Sequence, residues 1–331
     1  MNRVIVVTGG GRGIGAATCR LAARHGYAVC VNYRRDRLAA ESLVTEMQAS
    51  GTRAIAVAAD AGIETDVKRL FATVDELLGP IAALVNNAGI LEAQMRVDAM
   101  DAARLNRIFA TNVVGAFLCA REAVRRMSTK YGGGGGSIVN VSSAAARLGS
   151  PGEYVDYAAS KGAIDTLTTG LALEVAEEGI RVNAVRPGFI YTELHANGGE
   201  PDRVERVKNQ VPMKRGGSPE EVAHAILWLL SDLASFTTGA FCRRGRREID
   251  IQTRGRGEVA RRPTRLSQRS SPPSQHRPFR AEWSELAMAD LAGRLILLSG
   301  SALGGDGLLL LLVRGCGLLL FLFGRFIDGF R

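Results

Sequence analysis

Tyr157 and Lys161 stand four residues apart in the run Tyr157-Ala158-Ala159-Ser160-Lys161, a spacing that puts both side chains on one face of a helix. A free phenol has a pKa of about 10, too high to exchange protons readily near neutrality. A neighbouring ammonium favours phenolate, so Lys161 is expected to bring Tyr157 toward working pH. By itself, Tyr-x-x-x-Lys is explained as well by a surface helix pair. Ser143, ahead of it at the end of a predicted strand, makes a proton-transfer site the better reading.

A second constellation suits a phosphorylated ligand. Thr8-Gly9-Gly10-Gly11-Arg12-Gly13-Ile14-Gly15 follows the first apolar run and opens a helical pattern. Glycines there permit a tight turn and let the backbone approach a pyrophosphate, while the helix N-terminus supplies amide donors and a positive dipole end. Its position after strand one raises the turn above an ordinary loop. At the end of the second strand an NAD site places an acid on the ribose hydroxyls. Here stand Asn32, Tyr33 and Arg34, with Arg12 in the glycine loop. Two guanidinium groups favour a 2′-phosphate, and no carboxylate is expected at the strand end to oppose it. The expected cofactor is NADP, with NAD as the alternative.

Stepping along the chain gives the elements that must hold these groups. Strands are predicted at 3–7, 28–33, 53–58, 82–85, 138–141 and 181–185, and helices at 14–25, 37–50, 64–78, 111–127 and 157–176. Strands alternating with helices of this length imply a parallel sheet covered on both faces, a doubly wound α/β domain. Gly132 to Gly136 reads as a flexible helix-to-strand connection. Pro201 to Lys214 reads as a mobile flap, and Ser218-Pro219-Glu220-Glu221 as a capped helix start. Cys19, Cys30, Cys119, Cys242 and Cys316 share no close spacing, so neither a disulfide framework nor a zinc site is expected. The start, MNRVIVVTGG, enters a strand at once and predicts no signal peptide; a reducing cytoplasm fits best.

The ordered set of the glycine loop, Asn86-Asn87-Ala88-Gly89, Asn112, Ser143, Tyr157 to Lys161 and Pro187-Gly188 resembles the short-chain dehydrogenase/reductase family, in the bacterial branch of sugar dehydrogenases and 3-oxoacyl reductases. The resemblance spans residues 1–241 and implies a Rossmann-type single domain. It assigns Tyr157 as general acid in ketone reduction and base in alcohol oxidation, and Ser143 as hydrogen-bond donor to the substrate oxygen. Lys161 lowers the phenol pKa and, with Tyr157, lies at the nicotinamide ribose; Asn112 anchors a proton-relay water. Gly9, Arg12, Gly13, Ile14 and Gly15 would hold pyrophosphate, Asn32 and Arg34 the adenosine ribose, and Asp60 the adenine. Asn87, Ala88 and Gly89 pack against the adenosine side, while Pro187, Gly188, Ile190 and Thr192 serve the nicotinamide. Ser142 competes for the serine role, but the pattern favours Ser143. The Ser143-to-Tyr157 spacing is one residue longer than the family pattern, which affects pocket shape more than chemistry. Glu193, His195 and Glu200 suit a polyol or face water. No metal is implied. The readings are a dehydrogenase/reductase for a small sugar, polyol or ketone, a 3-oxoacyl-acyl-carrier-protein reductase using Arg125, Arg126 and Lys130, or a non-catalytic NADP-binding regulator.

The formal charge of +9 is located by the tail. From Arg243 onward there are 16 arginines, no lysine and 8 acids, a surplus of +8, against 26 basic and 25 acidic residues before it. The resemblance implies a last strand and a glycine turn after Thr238-Gly239-Ala240-Phe241. Instead the pattern is lost. Arginine codons mostly begin CG, and a one-base shift lets Cys242-Arg243-Arg244-Gly245-Arg246 decode as Ala-Val-Ala-Gly-Gly. Residues 243–331 thus read as frameshifted read-through, disordered from about 243 to 280. An RNA-binding segment lacks stacking aromatics apart from Phe279. A membrane anchor at 307–323 carries Arg314 at its middle, at about 2.5–3.5 kcal/mol. Neither nucleic acid nor membrane is expected as partner. The family's homotetramer is expected, impaired by the altered ending.

Overall fold

A computed structural model describes residues 3–244, 284–286, 295–300, 307–314 and 317–323. The chain divides into two units, Met1–Thr253 and Arg254–Arg331. In the first, β1 (Val4–Val7), α1 (Gly13–Arg24), β2 (Ala28–Tyr33), α2 (Arg37–Ala49), β3 (Ala54–Ala58), α3 (Glu64–Leu77) and β4 (Ile81–Asn86) form one half. The other half holds α4 (Ala102–Phe109), α5 (Gly115–Met127), β5 (Gly136–Val141), α6 (Ala145–Leu148), α7 (Val155–Val175) and β6 (Ile180–Pro187). After it come α8 (Leu194–Asn197), α9 (Arg203–Val207), α10 (Pro219–Leu230) and β7 (Phe241–Arg244).

The seven strands lie in the order β3-β2-β1-β4-β5-β6-β7, and all pairs are parallel. Both faces are covered, which is why β1 is an unbroken apolar run. Ile5 and Val7 pack into one core with α1, α2 and α10, and Val4 and Val6 into the other with α3, α5 and α7. The order reverses between β1 and β4, and the crevice at their carboxyl ends is where such sheets bind ligands. The loops after β1, β4, β5 and β6 carry the expected site residues to that end.

Three local expectations change. The helix predicted from 111 begins at Ala102, and a π turn, Ala110–Val114, joins α4 to α5. Asp101 caps that earlier start by accepting from Arg104 N at 2.7 Å. The glycine run is a packed turn rather than a loose connection: a Cβ on Gly133 would lie 2.4 Å from the Arg126 carbonyl oxygen. Glycine is needed there because the chain folds back onto the end of α5. The flap is likewise pinned, with Arg203, Val204, Val207 and Val211 buried. The capped start of α10 forms as a full capping box between Ser218 and Glu221.

In the second unit β8 (Ser284–Leu286), β9 (Leu295–Gly300), β10 (Gly307–Arg314) and β11 (Gly317–Phe323) pair antiparallel in the order β11-β10-β9-β8. The leucine-rich 307–323 stretch is therefore a strand pair. Among the described residues no helix is long and apolar enough to cross a membrane. The arginine-rich segment beyond Arg244, and Cys316, lie outside the described residues.

Candidate active site

The glycine loop is held open by side chains from three strands. Gly9 and Gly13 take φ of +61° and +51°, a region that L side chains rarely adopt. At Gly15 a Cβ would sit 2.4 Å from the Gly9 carbonyl oxygen. Asn87 Nδ2 donates to the carbonyls of Thr8 and Gly9 at 2.9 and 3.0 Å. Thr8 Oγ1 accepts from the amides of Asn87 and Ala88, each at 3.0 Å. No side chain closes the N-terminus of α1 at Arg12, so its first-turn amides stay available to an anion. This cradle fits a dinucleotide pyrophosphate.

Asn32 departs from its expected role on the ribose. It is buried, accepts from Gly9 N at 3.2 Å, and donates to the carbonyls of Val57 and Ala59 at 3.2 and 3.0 Å. Its carboxamide is thus engaged in shaping the loop. The expected absence of a carboxylate is also corrected. Arg34 Nε lies 2.8 Å from Asp60 Oδ2, and Arg12 Nε 3.9 Å from Asp36, which caps α2. The cap geometry of α2 turns Asp36 back toward the loop, a placement that spacing alone did not reveal. Arg12, at the N-terminus of α1, and Arg34, just after β2, remain half-exposed.

Ser143, Tyr157 and Lys161 line one cavity of about 150 Å³, together with Ile14, Asn87, Gly89, Pro187, Gly188, Ile190 and Thr192. Ser143 stands close enough to the phenol of Tyr157 to favour its ionised form. Ser142 is the wrong serine for the chemistry because its hydroxyl donates to Asp165 Oδ1 at 2.7 Å. Tyr157 is partly buried at the cavity wall. Burial pushes its pKa up to about 12, with Ser143 opposing. Burial brings Lys161 down to about 8, with Asp165 opposing.

The phenol pKa thus goes up through burial, where a lowering by Lys161 was expected. The ammonium donates to the Val141 carbonyl at 2.7 Å and lies 5.6 Å from the Tyr157 ring centroid. Desolvation of the hydroxyl outweighs the charge at that position. Asn112 is buried in the π turn. Its Oδ1 accepts from Ile90 N at 2.7 Å, and its Nδ2 donates to Ile90 O at 3.1 Å and to Ser160 Oγ at 3.0 Å. Both Nδ2 hydrogens are used, so a relay water would be held by the second lone pair of Oδ1 or by the main chain, which a π turn frees from the usual i→i−4 pattern.

Beyond the reacting groups, Leu91, Leu148, Phe189 and Leu194 form apolar wall. Arg203, also in the wall, is paired with Glu153 and Glu200 and stacks over the rings of Tyr154 and Phe189 at 4.7 and 5.7 Å. Glu200 is thereby engaged, and also accepts from Gln94 Nε2 at 2.6 Å. Burial and Arg203 lower the pKa of His195, favouring its neutral form. Arg203 and Glu153 were not singled out in the sequence. An isolated Arg in a polar stretch carries no signal until the flap folds onto the pocket.

Comparison with known proteins places this architecture. A family model described as "Enoyl-(Acyl carrier protein) reductase" matches residues 9–242. The uncharacterized oxidoreductase YgfF of Escherichia coli is 61% identical over 238 residues, covering 72% of this chain and 96% of that protein. Glucose 1-dehydrogenase 2 of Bacillus subtilis is 34% identical, covering 72% of this chain and 91% of that one. A crystal structure of a Brucella melitensis 3-ketoacyl-(acyl-carrier-protein) reductase complexed with NADH superposes with a TM-score of 0.68 at 30% identity, covering 73% of this chain and 96% of that chain.

Proposed function

Because the chain belongs to the short-chain dehydrogenase/reductase family, we propose that it transfers a hydride between NADP(H) and a small carbonyl or alcohol, a sugar, polyol or ketone. The observation that carries this is the single cavity in which Ser143, Tyr157 and Lys161 face the nicotinamide-side residues Gly188, Ile190 and Thr192. The bound dinucleotide supplies or accepts the hydride. Ser143 and Tyr157 hydrogen-bond the substrate oxygen, and Tyr157 gives it a proton in reduction. A phenol with a pKa of about 12 is protonated at neutral pH, so the acid form is present in the ligand-free site. In oxidation it must first lose that proton, and the Lys161 ammonium beside its ring would favour the phenolate. A panel of sugars, polyols and 3-oxoacyl thioesters, followed at the nicotinamide absorbance, tests the reading. No turnover with any of them would count against it.

NADP preference rests on half-exposed Arg12 in the glycine loop and Arg34 just after β2. Their carboxylate neighbours temper it. A charge-assisted contact to the 2′-phosphate is worth about 1.5–3 kcal/mol, so NADPH should bind roughly tenfold more tightly than NADH. Arg34→Asp should narrow or reverse that gap. Equal affinities in the unaltered protein, measured by fluorescence titration, would remove the assignment.

A carrier-protein-linked 3-oxoacyl reductase remains the second reading, on the names of the relatives. A basic docking patch is poorly supported: Arg125 pairs with Glu122, and Arg126 with Glu122 and Asp75. The proposed setting is the cytoplasm, which suits the buried thiols of Cys19, Cys30 and Cys119.

Assembly follows the same logic. Exposed Phe117 on α5 and Leu173 on α7 suit the pairing of two subunits through these helices. The second interface would use β7, the edge strand, which pairs Phe241–Arg244 with Ala184–Pro187. The family match ends at Cys242, within that strand. We read the following residues as out of frame, with arginines set where an apolar contact is needed. Burying such charges unpaired costs several kcal/mol per ion. The full chain should then fail to form a regular tetramer, and replacing 242–246 by Ala-Val-Ala-Gly-Gly and ending there should restore it. Light scattering on both proteins decides; a homogeneous, active tetramer of the full chain would overturn the read-through.

A further inference from the structure

The two helical runs that carry the site are tied together at two points. Near one end, Asn112 Nδ2 donates to Ser160 Oγ at 3.0 Å, and that hydroxyl donates to the Tyr157 carbonyl at 2.7 Å. Earlier in the same run, Arg104 Nε in the first turn of α4 donates to Asp156 Oδ2 at 2.6 Å. The other oxygen of Asp156 accepts from Tyr157 N at 2.8 Å. The backbone of Tyr157 is therefore gripped on both sides, N–H by Asp156 and C=O by Ser160, and each grip is braced from the α4–α5 run. The segment after Gly89 is caught by the same braces: Arg104 Nη1 donates to the Ala93 carbonyl at 2.8 Å, and Asn112 exchanges bonds with Ile90.

We infer that the Arg104–Asp156 ion pair positions Tyr157 for proton transfer, by fixing the first turn of α7 against α4; this rests on the reading of Tyr157 as the acid. Stability alone does not account for such a pair. Its side chains are 4% and 0% exposed, and an apolar pair of similar volume in such a place is often as stable or more so. Arg104 Nη2 is moreover buried without a partner, a loss that an apolar pair would not incur. What the ionic pair adds is direction. A planar guanidinium fork fixes one carboxylate oxygen and one main-chain carbonyl at set angles, and the second carboxylate oxygen passes that constraint to the amide of Tyr157. Small displacements of a reacting group are costly: a shift of about 1 Å lowers rates by roughly 10²-fold. Arg104 and Asp156 are positioning residues, since neither lines the cavity.

The test removes both charges together, as Arg104→Met with Asp156→Leu, so that no lone ion is left buried. This protein should fold with a Tm close to that of the unaltered chain. Its kcat should fall roughly 10- to 100-fold, with KM and NADPH affinity within about threefold. Arg104→Lys, which keeps a cation beside Asp156 but removes the planar fork, should lose less; it decides the matter if the double variant does not fold. Fluorine NMR of fluorotyrosine-labelled protein reads the ring independently of turnover, with the Tyr157 signal identified by its loss in Tyr157→Phe. That signal should move or split in the variants. A folded variant with unaltered kcat and an unmoved Tyr157 signal overturns the inference. An unaltered protein that turns over none of the carbonyls would sink the oxidoreductase reading instead, and the position of the Tyr157 signal would then decide the inference alone.

Discussion

Tyr157→Phe is expected to lower turnover by about 10²–10⁴-fold, the usual contribution of a positioned general acid, while NADPH affinity stays within a few-fold. Phenylalanine keeps the ring that packs beside Lys161 and removes only the hydroxyl near Ser143. The cradle around Gly9, Gly13 and Gly15 is built from Thr8, Asn32 and Asn87, none of which touches that hydroxyl. Binding and chemistry should therefore separate cleanly. Steady-state rates with cofactor titration by fluorescence make the check. A variant with most of its activity intact would remove Tyr157 as the acid and leave Ser143 or a water in its place.

The sheet was legible because buried parallel strands and their covering helices leave strong periodic signals. Val4 to Val7 could only be a strand covered on both faces, and Ser218-Pro219-Glu220-Glu221 only a helix start. The site was legible for a related reason: the loops at the carboxyl ends of the strands bring Gly9, Asn87, Ser143 and Gly188 together whatever the details of packing. What was not legible depends on where side chains turn. Asn32 has the type and position of a ribose ligand, yet its strand sets it inward onto Val57 and Ala59. Asp36 gave no signal in the sequence, yet it caps α2 and comes within 3.9 Å of Arg12. Arg104 was invisible because the π turn hid the earlier start of α4, and the partnership with Asp156 spans two distant elements. The upward direction of the phenol pKa was not legible because helical spacing places Lys161 near Tyr157 but says nothing of how deeply the phenol is buried.

Lys161 carries the second large effect, in which activity and stability should move in opposite directions. Lys161 is 4% exposed, and burial lowers its pKa from 10.5 to about 8. The folded protein then binds fewer protons at this site than the unfolded chain between about pH 8 and 10.5, so stability contributed here rises with pH through that window. Below it the charged form is held in the fold at a cost, which at 1.36 kcal/mol per tenfold amounts to about 3 kcal/mol. Tyr157 acts oppositely. Its pKa is raised from 10 to about 12, so its contribution is complete below pH 10 and lost between 10 and 12. Lys161→Met removes the buried charge and keeps the stem, at the loss of one bond to the Val141 carbonyl, worth about 1–2 kcal/mol. The ligand-free variant should therefore be more stable than the unaltered protein by about 1–2 kcal/mol near pH 7, and the advantage should fade toward pH 9.5. Turnover should fall by orders of magnitude at every pH, because no ammonium remains to favour the phenolate or hold the ribose. Urea unfolding at the two pH values, beside the activity assay, measures both. A variant less stable than the unaltered protein by the same amount at each pH would mean that the ammonium is well accommodated in the fold, and that its burial is no reservoir for catalysis.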